Sequence, residues 1–339
     1  MAVTIHDIAK KVGVNSSTVS RVLNGKAAIS QETRQKIYAA MEEMDYHPNS
    51  VARSLASGLS GAIGLAIDAC DNQAFANMFF YRSMTAIEKA AQMNGFNVII
   101  SNNLEGIRKS SPIEKLILER KVDGLILPPS MVAPKLIAKM VQLDFPFVIL
   151  GEPNQPLKEA SWVDVNNAQG SEAAVNHLLD KGYQKIAYLG GSDSQRFVKN
   201  RIKGYQSALE ARGIADSWVI QTDGSAQQSE ALAQQMMRAD NAPDAFLCND
   251  NTAAYGLLKA AKALALSVPN QIGVVAFDNY PLAEFTDPPL TAVDIDTALL
   301  GEQAANLLFQ RIGKRTPNQQ ILLSSTLIER ESTKRVQQP

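Results

Sequence analysis

The chain has 339 residues, is 45% hydrophobic and 20% charged, and carries a formal net charge of −1. This is ordinary globular composition with length for two or three domains, which excludes fibrous, low-complexity and wholly disordered classes. The start of the chain shows no basic region followed by an apolar run, and no 18-residue apolar run occurs, so neither a secretory signal nor a membrane span is expected. The expected setting is cytoplasmic, with no membrane partner. Residues 1–60 hold seven Lys/Arg against five Asp/Glu, a small positive excess in an otherwise slightly acidic chain. The two cysteines, Cys70 and Cys248, sit in separate apolar runs and are expected to be reduced core residues rather than a disulfide.

Residues 1–46 predict a small all-α unit. Thr4 with Asp7 three residues on has the form of a capping box opening a first helix. A tight turn at Gly13 follows, then a second helix capped by Asn15 and carrying Thr18 to Leu23. A third helix, Gln31 to Met44, is capped by Ser30. Ile5, Ile8, Ala9, Val12, Val14, Val19, Val22, Ile37, Ala40 and Met41 recur at helical spacing and would fill a three-helix core. His47-Pro48-Asn49 breaks the third helix. The weakly helical segment Ser50 to Ser57 then runs into the flexible joint Gly58-Leu-Ser-Gly61.

From residue 61 the pattern changes to strand–helix alternation. Short apolar runs at Ala62–Ile67, Val98–Ile100, Val122–Leu127, Phe147–Leu150, Ile186–Leu189, Ala245–Cys248 and Gly273–Phe277 read as strands. Helical stretches such as Arg82–Met93, Gly170–Lys181 and Arg201–Arg212 lie among them. The helix-stop pattern Asn94-Gly-Phe96 is repeated at Lys181-Gly-Tyr183. The expectation is an α/β core of two doubly wound parallel-sheet lobes with a boundary near residue 160, and a ligand site between the lobes at the carboxyl ends of the strands.

The second helix carries the chemistry of a DNA reader. Ser16, Ser17 and Thr18 lie at its N-terminus, and Ser20 and Arg21 follow. Short hydroxyls approach phosphates and base edges closely, a helix N-terminus favours phosphate oxygens, and an arginine can grip guanine with two hydrogen bonds. Ser30, Thr33 and Arg34 are placed to meet the flanking backbone. Each residue taken singly could be a cap or solvated surface; the pattern as a whole points to a major groove.

Residues 3–57 closely resemble the N-terminus of the lactose-repressor (LacI/GalR) family of bacterial transcription regulators. The resemblance rests on the helix-turn-helix Thr4 to Asn24, on Tyr46-His-Pro-Asn49 and on Ala52-Arg-Ser-Leu55, and it continues to residue 335. It implies a helix-turn-helix domain over 1–46, a hinge-helix linker over 47–60 and a periplasmic-binding-protein-like core over 61–339. The implied lobes are 61–159 with 292–320, and 160–291 with 321–335. Ser16, Ser17 and Arg21 match the family's main groove readers, His6 a first-helix base contact, and Leu55 the leucine that wedges into the minor groove. Thr4, Thr18, Ser20, Asn24, Ser30, Asn49, Ala52 and Arg53 complete the expected DNA-contacting set. The partners implied are operator DNA, a second copy of the chain in a homodimer, and a small-molecule effector. No C-terminal leucine heptad of the kind that makes tetramers follows Arg335.

For the effector, the resemblance points to Arg201, Asn249 and Asp278, with Phe79 and Phe80 facing a ring. Asp250 reads rather as a helix cap. Gly151 stands where several members carry aspartate, so a contact there is missing or is supplied by Glu152. Phe145 to Gly151 and Phe197 to Tyr205 are similar to regulators of maltose or maltodextrin use; another sugar, or a nucleoside or purine, is the alternative. No cofactor is expected. Gly190-Gly191 lacks the remainder of a nucleotide-binding motif, His6, His47 and His177 are too scattered for a metal site, and no catalytic set stands out. The chain therefore reads as a ligand-controlled repressor and not as an enzyme.

Overall fold

The structure, a computed structural model, describes residues 3–23, 29–46, 58–68, 78–102, 111–192, 194–314 and 316–335, with the backbone alone for Met78 and Phe80. Asn24, Asn49, Ala52, Arg53, Leu55 and Cys70 lie outside the described residues, as does the ring of Phe80.

Three helices form the N-terminal unit: α1 (Ile5–Val12), α2 (Ser16–Leu23) and α3 (Gln31–Glu43). The Asp7 carboxylate closes the start of α1 by accepting from the Thr4 N–H at 2.9 Å and the Thr4 hydroxyl at 2.6 Å. Gly13 ends α1 in the left-handed region at φ 73°, where a side chain would be strained, and so turns the chain into α2. Ile8, Ala9, Val19, Val22, Ile37 and Ala40 are the buried centre, and Ile5, Val12, Val14 and Met41 pack around it.

The rest of the chain alternates strand and helix. Its first stretch is β1 (Ala62–Ile67), α4 (Met78–Met93), β2 (Asn97–Asn102), α5 (Pro112–Leu118), β3 (Leu125–Leu127), α6 (Pro134–Gln142), β4 (Phe147–Leu150) and β5 (Ser161–Val165). There follow α7 (Asn167–Asp180), β6 (Ile186–Leu189), α8 (Arg196–Ala211), β7 (Trp218–Ile220), α9 (Ala226–Met237), β8 (Ala245–Cys248), α10 (Asn251–Ala263) and β9 (Gly273–Phe277). The chain closes with β10 (Thr291–Asp294), α11 (Thr297–Gly313), β11 (Gln320–Leu323) and β12 (Thr326–Ile328).

These strands form two six-stranded sheets, ordered β11-β5-β4-β3-β1-β2 and β12-β10-β9-β8-β6-β7. Every pairing is parallel except that of β12 with β10. The fully buried runs of β1, β3, β4, β6, β8 and β9 explain why their sequences are continuously apolar: helices cover both faces. Cys248 is a free thiol inside the second sheet. Trp162 packs in the core of the first lobe.

The strand pairing corrects the lobe boundaries. β5 lies beyond the expected break at 160 yet pairs with β4 and β11, so the first crossing comes after Val165. β10 pairs with β9, so 291–294 belongs to the second lobe, and β11 carries the first lobe on to Leu323. Three short crossings, near 166, 295 and 324, therefore join the lobes.

Several helix ends share one geometry. Phe96, Tyr183 and Leu266 each donate a backbone N–H to the carbonyl five residues earlier, at 2.9, 3.2 and 2.9 Å, around a left-handed residue. Gly95 and Gly182 occupy that position in the first two, but in the third it is Ala265 at φ 53°. Ala265→Gly is expected to stabilise the chain by about 0.5 kcal/mol, the relief of strain outweighing the added freedom of the unfolded chain. A urea midpoint shifted downward would contradict this.

Candidate effector and DNA sites

The strand topology places a cleft of about 330 Å³ between the lobes, at the carboxyl ends of both sheets. Phe79, Arg201, Asn249 and Asp278 all line it. Asp250 does so as well while capping α10, accepting from the Ala253 N–H at 2.8 Å. Residues not anticipated from sequence complete the wall, chiefly Ser130, Asn154, Asp164, Asn167, Arg196 and Phe197.

Arg201 is the centre of the floor. A Cβ at Gly204 would overlap the Ala168 carbonyl, so only glycine lets α8 lie this close to α7. One turn before Gly204, the Arg201 Nε donates to Asn167 Oδ1 at 2.8 Å, and Nη1 donates to the Asn249 carbonyl. The guanidinium is stacked 3.8 Å from the centre of the Phe277 ring. Its Nη2 stops 4.0 Å from Asp278 Oδ1, the outer limit of an ion pair.

Asp278 follows β9 in a left-handed conformation, φ 70°, uncommon for a residue with a side chain. Its Oδ1 is buried with no hydrogen-bond partner among the described residues. Burial pushes the carboxyl up to about 6, against the pull of Arg201 and of a hydrogen bond from Tyr280. The folded state thus holds this proton more tightly than the unfolded chain. The stability Asp278 contributes is present in full below about pH 4 and is lost as pH rises through about 6. Asp278→Asn is therefore expected to stabilise the protein at pH 7.5 by about 2–3 kcal/mol, with the gain vanishing near pH 4. Parallel urea curves at the two pH values check this; a destabilised variant at pH 7.5 would contradict it.

Two sets of contacts tie the lobes across the cleft. Glu152, after β4, accepts from Arg196 Nε at 2.9 Å and from Asn200 Nδ2 at 2.6 Å, both on α8. Asn154 accepts from the Arg196 N–H at 3.1 Å. On the first turn of α4, the Phe79 N–H donates to the Tyr280 hydroxyl at 3.2 Å. Gly151 beside Glu152 has φ 116°, and a Cβ there would meet Pro129 at 2.8 Å. A side chain at Gly151 would thus be strained, and the carboxylate that lies at this edge of the cleft is that of Glu152. Asp164 is buried in β5 and accepts from the Glu152 and Val165 N–H groups at 2.8 and 2.7 Å. Burial raises its carboxyl above the ordinary value.

In the N-terminal unit Ser17 and Arg21 are exposed on α2, while Ser16, Thr18 and Ser20 are half-buried. Ser16 Oγ lies 2.8 Å from His6 Nδ1, so two expected groove residues meet each other. The hydroxyls of Thr4 and Ser30 also have local roles: Thr4 binds Asp7, and Ser30 caps α3 by accepting from the Thr33 N–H at 3.2 Å.

These features have close counterparts in known proteins. Residues 4–49 match the profile of bacterial regulatory proteins of the lacI family, and residues 175–333 match the periplasmic binding protein-like domain. The HTH-type transcriptional repressor PurR of Escherichia coli O139:H28 is 30% identical over 335 residues, covering 97% of this chain and 96% of that one. The chain belongs to the lacI family. PurR of Photobacterium profundum is 28% identical over 336 residues, 98% of each chain. Among solved structures, the lac repressor dimer bound to operator and the anti-inducer ONPF has a TM-score of 0.78 at 28% identity, covering 98% of this chain and 99% of that one. The transcriptional regulator CelR in complex with cellobiose has a TM-score of 0.71 at 27% identity, with 97% and 99% covered. As a lacI-family member the chain is a ligand-responsive, DNA-binding transcriptional repressor and not an enzyme. Among the described residues no helix is long and apolar enough to cross a membrane.

Proposed function

We propose that this repressor acts in the cytoplasm as a homodimer on a two-fold symmetric operator, and that a neutral sugar, maltose or a maltodextrin foremost, enters the interlobe cleft and changes operator affinity. The observation that carries the ligand class is the gap between Arg201 Nη2 and Asp278 Oδ1, 4.0 Å wide, with an unpartnered acceptor on one side. Neighbouring sugar hydroxyls fit it: one donates to Oδ1 while the next accepts from the guanidinium. Glu152, Asp164, Asp250 and Asp278 outnumber Arg196 and Arg201 along the cleft, which disfavours phosphorylated or carboxylated ligands. CelR, a relative solved with cellobiose, supports the sugar class.

Arg21, Ser16 and Ser17 would read each half-site, Leu55 would wedge into the minor groove, and residues 47–60 would form the hinge that couples the cleft to α2. The Glu152–Arg196 and Phe79–Tyr280 contacts are the ties whose geometry a bound ligand would change. A coupling of about 1–3 kcal/mol gives a 5–150-fold change in affinity. The lac repressor relative, solved as a dimer on operator, supports the assembly.

A purine is the second reading. The PurR relatives favour it, and Phe79 and Phe197 could stack a flat base. Thermal unfolding of the full chain with maltose, cellobiose or hypoxanthine separates the two. A ligand at 100-fold over its Kd adds about 2.7 kcal/mol. Stabilisation by maltose is the expected result; stabilisation by hypoxanthine alone would replace the sugar with a purine.

A further inference from the structure

The chain enters the first lobe beside Asp123, whose carboxylate grips the incoming backbone with both oxygens. Oδ1 accepts from the Ser60 N–H and Oδ2 from the Gly61 N–H, each at 2.8 Å. Hydrogen bonds to a carboxylate are the stronger kind, and two of them on adjacent amides fix a direction as well as a distance. The junction is held from the other side too. Asp123 donates its own N–H to the Ala62 carbonyl at 2.8 Å, and the Gly61 carbonyl accepts from the Asn97 N–H at 2.9 Å. Gly61 has φ 71°, so the chain turns at the gripped amides just before β1 begins. Among the described residues Asp123 has no ion-pair partner; Lys121, two residues before it, is held by Glu119 at 2.7 Å.

Asp123 stands just before the amino end of β3, and the cleft lies at the carboxyl end. After Leu127 the chain runs directly into Pro128, Pro129 and Ser130, which wall the cleft next to Gly151 and Glu152. From Asp123 to Pro128 is roughly 17 Å of extended chain. That stretch is firmly packed. Leu125, Ile126 and Leu127 are fully buried, with β1 on one side and β4 on the other. A Cβ on Gly124 would meet Leu308 of α11 at 2.8 Å. A strand packed in this way moves as a unit, so a shift of the cleft wall becomes a shift of the Asp123 carboxylate. We propose that Asp123 is the positioning residue that couples the cleft to the linker. β3 carries movement of the Pro128–Ser130 wall to its far end, and the two hydrogen bonds to Ser60 and Gly61 pass it on. The proposal rests on the reading that the cleft governs operator binding.

The test is a double-mutant cycle read as operator affinity, with the full chain at fixed salt and no effector. Glu152→Ala breaks the tie to α8 at the cleft wall. Asp123→Asn keeps the size of the side chain but replaces one acceptor with an amide donor. Glu152→Ala is expected to change the operator dissociation constant at least about fivefold, the low end of allosteric coupling, and less than about twofold in the Asp123→Asn background. Site-resolved hydrogen exchange checks that Asp123→Asn is folded with the grip lost. Its Ser60 and Gly61 amides should exchange about tenfold faster or more, while the Gly64 amide, bonded to the Gly124 carbonyl, stays protected. Unchanged exchange at Ser60 and Gly61 overturns the proposal. So does an equal change from Glu152→Ala in both backgrounds, or no change in either. Maltose and hypoxanthine, added to the same titrations, test the reading beneath it. If neither alters operator affinity while the effect of Glu152→Ala still depends on Asp123, the link stands and the effector reading falls. An effector response as large in Asp123→Asn as in the unmodified protein keeps the effector reading and overturns the role of Asp123.

Discussion

Arg201→Ala is expected to lower the unfolding free energy by about 3–5 kcal/mol and to abolish the response of operator binding to effector. The magnitude follows from what the guanidinium leaves behind. Asn167 Oδ1 and the Asn249 carbonyl lose a charged donor inside the protein, and Phe277 loses the cation stacked on its face. Asp278, already pushed up by burial, loses the positive charge that opposes that burial and holds its proton still more tightly. Lysine should not restore the response, because one ammonium cannot reproduce the fork that serves Asn167 and Asn249 together. Urea denaturation and an operator titration with and without maltose measure the two effects. A loss below 1 kcal/mol with a normal response would remove Arg201 from the centre of the site.

Arg21→Ala should act at the other end of the molecule. A bidentate arginine–guanine contact is worth about 1–3 kcal/mol, and a dimer makes it twice, so specific operator affinity should fall by about 30-fold to 10⁴-fold. Arg21 is exposed and lies outside the α1–α3 core, so thermal stability and effector binding should stay unchanged. Non-specific DNA binding should fall far less, since it depends on phosphate contacts along the whole face. Fluorescence anisotropy with operator and with scrambled duplex distinguishes these outcomes; an equal loss on both would make Arg21 a phosphate contact instead of a base reader.

Local signals made the N-terminal unit and the strand–helix alternation legible in the sequence. The capping residues Thr4 and Ser30, the turn at Gly13 and the helix stops at Gly95 and Gly182 each act within a few residues, and the structure uses them as local punctuation. Asp278 and Asn249 were visible because each follows an apolar strand at its carboxyl end. β5 was not visible. Ser161 and Asp164 give it a polar look, yet every residue of it is buried, because backbone N–H groups of Glu152 and Val165 satisfy the Asp164 carboxylate. Two of the three misplaced lobe crossings follow from the same strand, since its pairing with β11 joins segments more than 150 residues apart; the third follows from the pairing of β10 with β9. Asn154 and Arg196 meet only through the approach of one lobe to the other, and Asn167 meets Arg201 only through the packing of α7 on α8, relations that no local pattern encodes. The Glu152 contact with α8 depends further on a glycine whose φ of 116° is invisible in the sequence, although the Gly-Glu-Pro run after β4 marks a turn there.

The coupling of cleft to operator is tested most directly by one titration. An operator duplex selected by the full chain is bound at fixed salt with and without saturating maltose, and the dissociation constant is read by anisotropy for the unmodified protein and for Asp278→Ala. A 5–150-fold change is expected in the unmodified protein and none in Asp278→Ala, with both binding operator equally well in the absence of sugar. Maltose that raises the thermal stability of the unmodified protein yet leaves its operator affinity unchanged would contradict it.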